Sequence, residues 1–319
     1  MSRTDRVNAR PRFVAELDED GLGAVDAVRV SDRRSTLWLD AWRQLRGRWT
    51  FWLPVAVILL TVFVALFPSA LTAVPPNDGC ELARSNAGPA PGHPLGFTLQ
   101  GCDIFARIAH GTGTSLSVGL LVTAIVALIG IVVGALAGYC GGWLDSLLMR
   151  IGDVFFAVPY VLAGVVVMSI FIEHRNILVI SLAIGFFSWP SLARVLRAEV
   201  LRVRWADFVV AAEAIGLSRL RTMLAHVLPN AITPVIVVST LGLAGAISAE
   251  ATLSFLGVGL PSNTFMSWGN DISAAQQDLR QNPMPLIYPS AALSVTVLAF
   301  IVLGEVVRDA LDPKARARR

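Results

Sequence analysis

The stretch SLSVGLLVTAIVALIGIVVGALAG, residues 115–138, runs the length of a membrane-crossing helix without one charged side chain. Crossing about 30 Å of hydrocarbon takes roughly 20 mostly apolar residues. Working outward, five further stretches meet the same requirement: Phe51–Thr72, Ile151–Ile172, Ile177–Leu196, Ala231–Leu256 and Pro285–Glu305. Composition agrees. Of 319 residues, 55% are hydrophobic and 15% charged, whereas a soluble domain carries roughly 25% charged residues. The numbers exclude a water-soluble globule and a disordered chain alike, and predict an all-α integral membrane protein with six transmembrane helices.

Basic residues set the expected orientation. The N-terminal tail, the connection between spans two and three, the stretch from Arg194 to His226 and the C-terminal tail together hold 22 Arg and Lys, against four (Arg84, Arg107, Arg175, Arg280) on the other side. Both termini are therefore expected in the cytoplasm. Three regions result: a cytoplasmic tail over 1–49, a six-helix membrane domain over 50–306 and a basic cytoplasmic tail over 307–319. A cleavable signal peptide fits poorly, because the charged leader is long and the first apolar stretch exceeds a usual h-region. Residues 1–36 are polar and of mixed charge, which suits disorder. From Leu37, Trp38, Trp42, Leu45 and Trp49 recur at helical spacing among Arg43, Arg46 and Arg48, as in a helix lying at the lipid headgroups; a plain extension of the first span is the alternative. Glu173-His174-Arg175-Asn176 reads as a tight hairpin between spans three and four.

Only one of the 26 basic residues is lysine, Lys314, and it follows Pro313. A phosphate-binding P-loop needs Lys before Ser or Thr, so any ATP that drives this protein must be bound by another chain. The exported loop, about 73–112, contains Cys80 and Cys102. Two cysteines in an oxidising compartment favour a disulfide, with two unpaired thiols as the alternative; Cys140 lies at the opposite face. Gly130, Gly134 and Gly138 form a small-residue stripe suited to close helix packing, with a partner in this chain or another. Glu250 stands deep in span five, where a carboxylate is costly and a functional candidate. Gly242, Ala246, Glu250 and Ser254 share its face, so Glu250 and Ser254 belong either to a pathway or to an interhelix contact. Asp153, near the start of span three, reads as solvated or paired locally.

The segment from about 202 to 229 is too long for a turn and too short for a domain. Asp207 can cap a helix through Ala214, Gly216 can end it with a positive φ, and a second amphipathic helix runs from Ser218 toward Pro229. Such a helix pair offers a surface for another protein to grip, although an inert linker would share its geometry.

The spacing Val210-Ala211-Ala212, Gly216, His226 and Leu228-Pro229 resembles the cytoplasmic signature of permease subunits of the oligopeptide/dipeptide family of ABC importers. Val210 stands where the family usually has Glu, and His226 where the wider family has Ile. Further resemblance runs through Ala137-Gly138-Tyr139, Gly141-Gly142-Trp143, Asp145, Met149-Arg150, Asp153, Pro159, Trp189-Pro190, Ala193-Arg194, Arg197, Glu250 to Gly257 and Ser267-Trp268-Gly269. Outside, His93-Pro94-Leu95-Gly96 and Gly101-Cys102-Asp103 are similar to family elements, with Cys102 in place of Arg and Thr98 in place of Asp. The likeness covers about residues 37 to 314.

This resemblance implies a type I ABC importer permease fold and a chain that forms half of a peptide translocation pore, without catalysis of its own. It implies ATPase coupling through Ala211, Ala212, Gly216, His226, Leu228 and Pro229. No cofactor is expected on this chain, with ATP and Mg on one or two partner ATPase subunits. The other implied partners are a homologous second permease and an extracytoplasmic substrate-binding protein, alongside membrane lipid and no nucleic acid. Importers of nickel, glycosides or other small solutes share the signature. A self-contained secondary transporter would need an ion-coupling site and often internal repeats, and a membrane enzyme would need convergent catalytic groups; four dispersed histidines supply neither.

Overall fold

The computed structural model describes residues 37–78 and 80–311. The expectations for residues 1–36 and for the tail beyond 311, Lys314 included, lie outside the described residues. Helices carry the fold: α1 (Leu37–Arg46), α2 (Trp49–Leu66), α3 (Ile104–Cys140), α4 (Gly142–Ala157), α5 (Tyr160–Ile170), α6 (Ile177–Val203), α7 (Asp207–Ala214), α8 (Arg219–Thr222), α9 (Leu228–Ala231), α10 (Thr233–Phe255), α11 (Trp268–Ala275) and α12 (Met284–Leu311). Of these, α2, α3, α6, α10 and α12 are each long and apolar enough to cross a membrane, and α4 with α5 makes a sixth, bent candidate.

The third span corrects the sequence expectation of one apolar crossing over Ile151–Ile172. Two helices meet there at a 77° bend. Pro159 is the physical cause: it has no N–H to give, and its ring drives the preceding residue out of the helical region. Val158 accordingly adopts φ −91°, ψ 118°. Asp145 near the start of α4 is held to Arg197 of α6 by two hydrogen bonds of 2.5 and 2.6 Å. Asp153 pairs with Arg194, also on α6, at 2.7 Å, so its partner lies on another helix.

The second span is longer than expected, because α3 starts at Ile104 rather than Ser115 and takes in the end of the expected loop. Asp103 caps it, accepting from the backbone N–H of Ala106 at 2.6 Å. At 1.5 Å per residue, α3 spans ~55 Å, and it joins the two faces of the molecule. Its most extensive partner is α6. The glycine stripe makes that approach possible: a Cβ on Gly134 would lie 2.6 Å from the Ala193 carbonyl oxygen, and one on Gly138 2.9 Å from that of Arg197. The stripe's partner is thus in this chain.

The helix from Leu37 forms as the Trp and Arg spacing predicts. Ala41 and Leu45 are buried with Phe51, Ala310 and Leu311, and Trp42 stands edge-on to Phe51 and Trp52. At the other end, α2 stops at Leu66, short of the expected Thr72, and α12 continues through Leu311, past the boundary expected at 306.

Candidate functional site

At the α3 C-terminal face the chain leaves α6 and builds a compact loop. Ala206, with extended backbone, occupies the cap position of α7; Asp207 sits one residue inside and makes no capping bond. Its charge still complements the helix N-terminus. Gly216 ends the helix at φ +92°. The Leu217 N–H donates to the Ala212 carbonyl at 3.2 Å and the Gly216 N–H to that of Glu213 at 3.0 Å, the paired closure of a left-handed helix end. The expected second helix is interrupted. A π turn, Met223–Val227, separates α8 from α9, and the Leu228 N–H reaches the Met223 carbonyl. Pro229 cannot donate to the carbonyl four residues back, and its ring crowds that turn.

This loop has two faces. Val209, Met223 and Val227 are buried with Tyr139, Leu196 and Val200, which ties the loop to α3 and α6. On the outer side Phe208, Val210, Ile215, Leu220 and Leu224 are exposed, Ile215 by 79%. Of the residues singled out from sequence, Ala211, Gly216 and Pro229 are exposed, His226 and Leu228 half-buried, and Ala212 buried within its own chain. A contact that sequence reasoning missed fixes the loop's inner edge: the Tyr139 hydroxyl donates to Glu213 Oε1 at 2.8 Å.

Within the apolar body, α3, α4, α5, α6 and α10 line a half-open cavity of about 420 Å³ whose lining includes Val122, Phe156, Tyr160, Phe187, Gly242 and Ala246. Glu250 does not line it. The Glu250 side chain is fully buried, accepting from the hydroxyls of Ser115 (3.2 Å) and Ser254 (2.9 Å). Ser115 in turn accepts from the Trp268 N–H at 3.2 Å. Glu250 and Ser254 thus join α10 to α3, and through Ser115 to α11.

At the opposite face Cys80 and Cys102 form the expected disulfide. Gly101 beside it has φ +75°, and a Cβ there would fall 1.9 Å from the Glu81 carbonyl oxygen. His93 Nδ1 lies 2.5 Å from Asp103 Oδ2, so the segment carrying His93-Pro94-Leu95-Gly96 is tied to the cap of α3. Arg107 pairs with buried Asp271 of α11 at 2.5 Å.

Residues 130–317 match the family of binding-protein-dependent transport system inner membrane components. The chain is 31% identical to the oligopeptide transport system permease protein OppC of Bacillus subtilis over 92% of its own length and 95% of that protein's. It is 33% identical to the glutathione transport system permease protein GsiD of Pectobacterium atrosepticum, covering 93% and 97%. It is likewise 33% identical to the dipeptide transport system permease protein DppC of Alkalihalophilus pseudofirmus, covering 88% and 91%. With its apolar helices and its paired loop helices, the chain belongs to the inner membrane components of binding-protein-dependent transport systems, as a multi-pass permease subunit of an ABC importer that works with other transporter subunits.

Proposed function

We propose that this chain forms half of the pathway of an ATP-driven peptide importer and that residues 202–229 receive the push of an ATPase subunit. The observation that carries this reading is the set of exposed apolar side chains Phe208, Val210, Ile215, Leu220 and Leu224 on a loop whose inner face is buried against α3 and α6. A cluster of exposed large apolar side chains on a basic face suits a protein partner. The charge split of the sequence supports a cytoplasmic position for this loop and both termini and an outside position for the disulfide face, where a substrate-binding protein would dock.

The cavity lined by α3, α4, α5, α6 and α10 supplies one wall of the pathway, and a homologous second permease supplies the other. ATP and Mg are held by the ATPase partners. Their closure on ATP displaces the loop, and the buried contacts to α3 and α6 carry that displacement into the membrane. Peptide as substrate rests on the relatives, which are named for oligopeptide, glutathione and dipeptide transport. Glu250 serves as a bracket between helices rather than as a pathway group.

Gly216→Leu tests the coupling role. It adds bulk at an exposed turn and a Cβ where φ is positive, and is expected to lower substrate-stimulated ATP hydrolysis by roughly tenfold in the reconstituted complex, the effect of a loss near 1.4 kcal/mol, within the range for a disturbed packed contact. Full stimulation would make the loop a passive linker.

A further inference from the structure

We infer that Glu213 and Tyr139 form a positioning strut that sets the angle at which the cytoplasmic loop is presented, and that Glu213 acts through Tyr139 to pass loop movement into α3. The inference rests on the proposed docking of an ATPase at this loop. With eight residues, α7 is too short to be stable by itself, so its orientation is imposed by what it touches. Its inward side chains Val209 and Ala212 are apolar, and contacts of that kind resist separation better than rotation, since burial is non-directional. The hydrogen bond from the Tyr139 hydroxyl to Glu213 Oε1, at 2.8 Å, is directional and charge-assisted.

Both ends of the strut are well founded. Tyr139 is 7% exposed and lies in the last turn of α3, next to Gly138, whose missing Cβ lets Val200 of α6 pack against the helix. The Arg204 guanidinium stands 5.9 Å from the Tyr139 ring and 5.0 Å from that of Trp205, which ties the chain just beyond α6 to the same corner. Glu213 lies three residues before Gly216, in the turn that the left-handed closure fixes. A cavity of about 340 Å³ lined by Tyr139, Glu213, Arg204 and Arg219 opens beside the bond. The bond therefore borders open space on that side, where no packed side chain takes over its direction once it is gone.

The test uses the full complex in proteoliposomes and reads the ratio of substrate-stimulated to unstimulated ATP hydrolysis, with ATPase retention measured on the same preparations. Tyr139→Phe removes one oxygen and keeps the ring; Glu213→Ala removes the acceptor. Each is expected to lower the ratio roughly five- to tenfold, the worth of one such bond net of solvent. Their combination should be no worse than either alone, because the two changes break one interaction. Glu213→Gln keeps an acceptor oxygen and should retain most of the ratio, which a role resting on the Glu213 charge would not allow, and Tyr139→Phe, which leaves Glu213 intact, separates the bond from the bulk of Glu213. A wild-type ratio in Tyr139→Phe, or additive losses in the double variant, would overturn the strut. Failure of the docking reading has a different signature, since Gly216→Leu would then keep full stimulation, whereas failure of the strut alone leaves Gly216→Leu impaired.

Discussion

Single side chains decide several close contacts here. Gly101 is one: with φ +75° and the Glu81 carbonyl oxygen 1.9 Å from any added Cβ, Gly101→Ala should force the backbone beside Cys102 apart. We expect it to give less disulfide-bonded protein on non-reducing gels and a lower thermal midpoint in detergent. The disulfide spans a sequence separation of 22, and a loop near that length is worth about 3 kcal/mol in the chain-entropy model, so its loss would be visible. Glu250 is a second case. Glu250→Ala would strip the acceptors from Ser115 and Ser254, leave a cavity, and cost about 2–5 kcal/mol by comparison with other large-to-small changes at buried sites. Glu250→Gln preserves shape and an acceptor oxygen, and should unfold close to the wild-type temperature while transporting normally. A strong transport defect with unchanged stability in Glu250→Gln would restore a pathway role.

Among the helices, the pairing of α3 with α6 rests on small residues. Gly134→Leu would drive a side chain against the Ala193 carbonyl oxygen, 2.6 Å from where its Cβ must lie, and overpacking of this kind costs about 1–3 kcal/mol. We expect earlier unfolding and aggregation in size-exclusion profiles. Gly242→Ala serves as the control, because nothing lies within 4 Å of a Cβ there, and it should behave as wild type. The same helices show what a sequence discloses. Apolar length revealed six crossings, yet it missed the bend of the third because hydropathy is summed over a window in which Pro159 counts as one neutral residue. It also placed residues 104–112 in a loop: Arg107 and His110, with Gly111 and Thr112, read as polar, whereas the capping bond of Asp103 and the pairing of Arg107 with Asp271 anchor them in the first turns of α3. Gly216 was legible because its conformational need is local. Tyr139 and Glu213 are 74 positions apart, and no local rule joins them.

Across the whole molecule, α3 connects the disulfide face to the loop face, so events at the two surfaces share one rigid element. Residues chosen from sequence for the ATPase contact separate on the structure into two groups. Ala212 faces inward, while Ala211 and Gly216 lie on the outer side with Phe208, Val210 and Ile215. Small residues in the motif therefore divide between letting α7 sit close to its own chain and standing on the exposed side of the loop. The most direct measurement places a photoreactive benzoylphenylalanine at Ile215, the most exposed of the loop's apolar side chains, in the assembled complex in native membranes. Illumination should join this chain to its ATPase subunit, with a yield that changes when ATP is added. Illumination that joins Ile215 only to lipid or solvent, in complexes shown to retain the ATPase, would contradict the coupling of this loop to a motor.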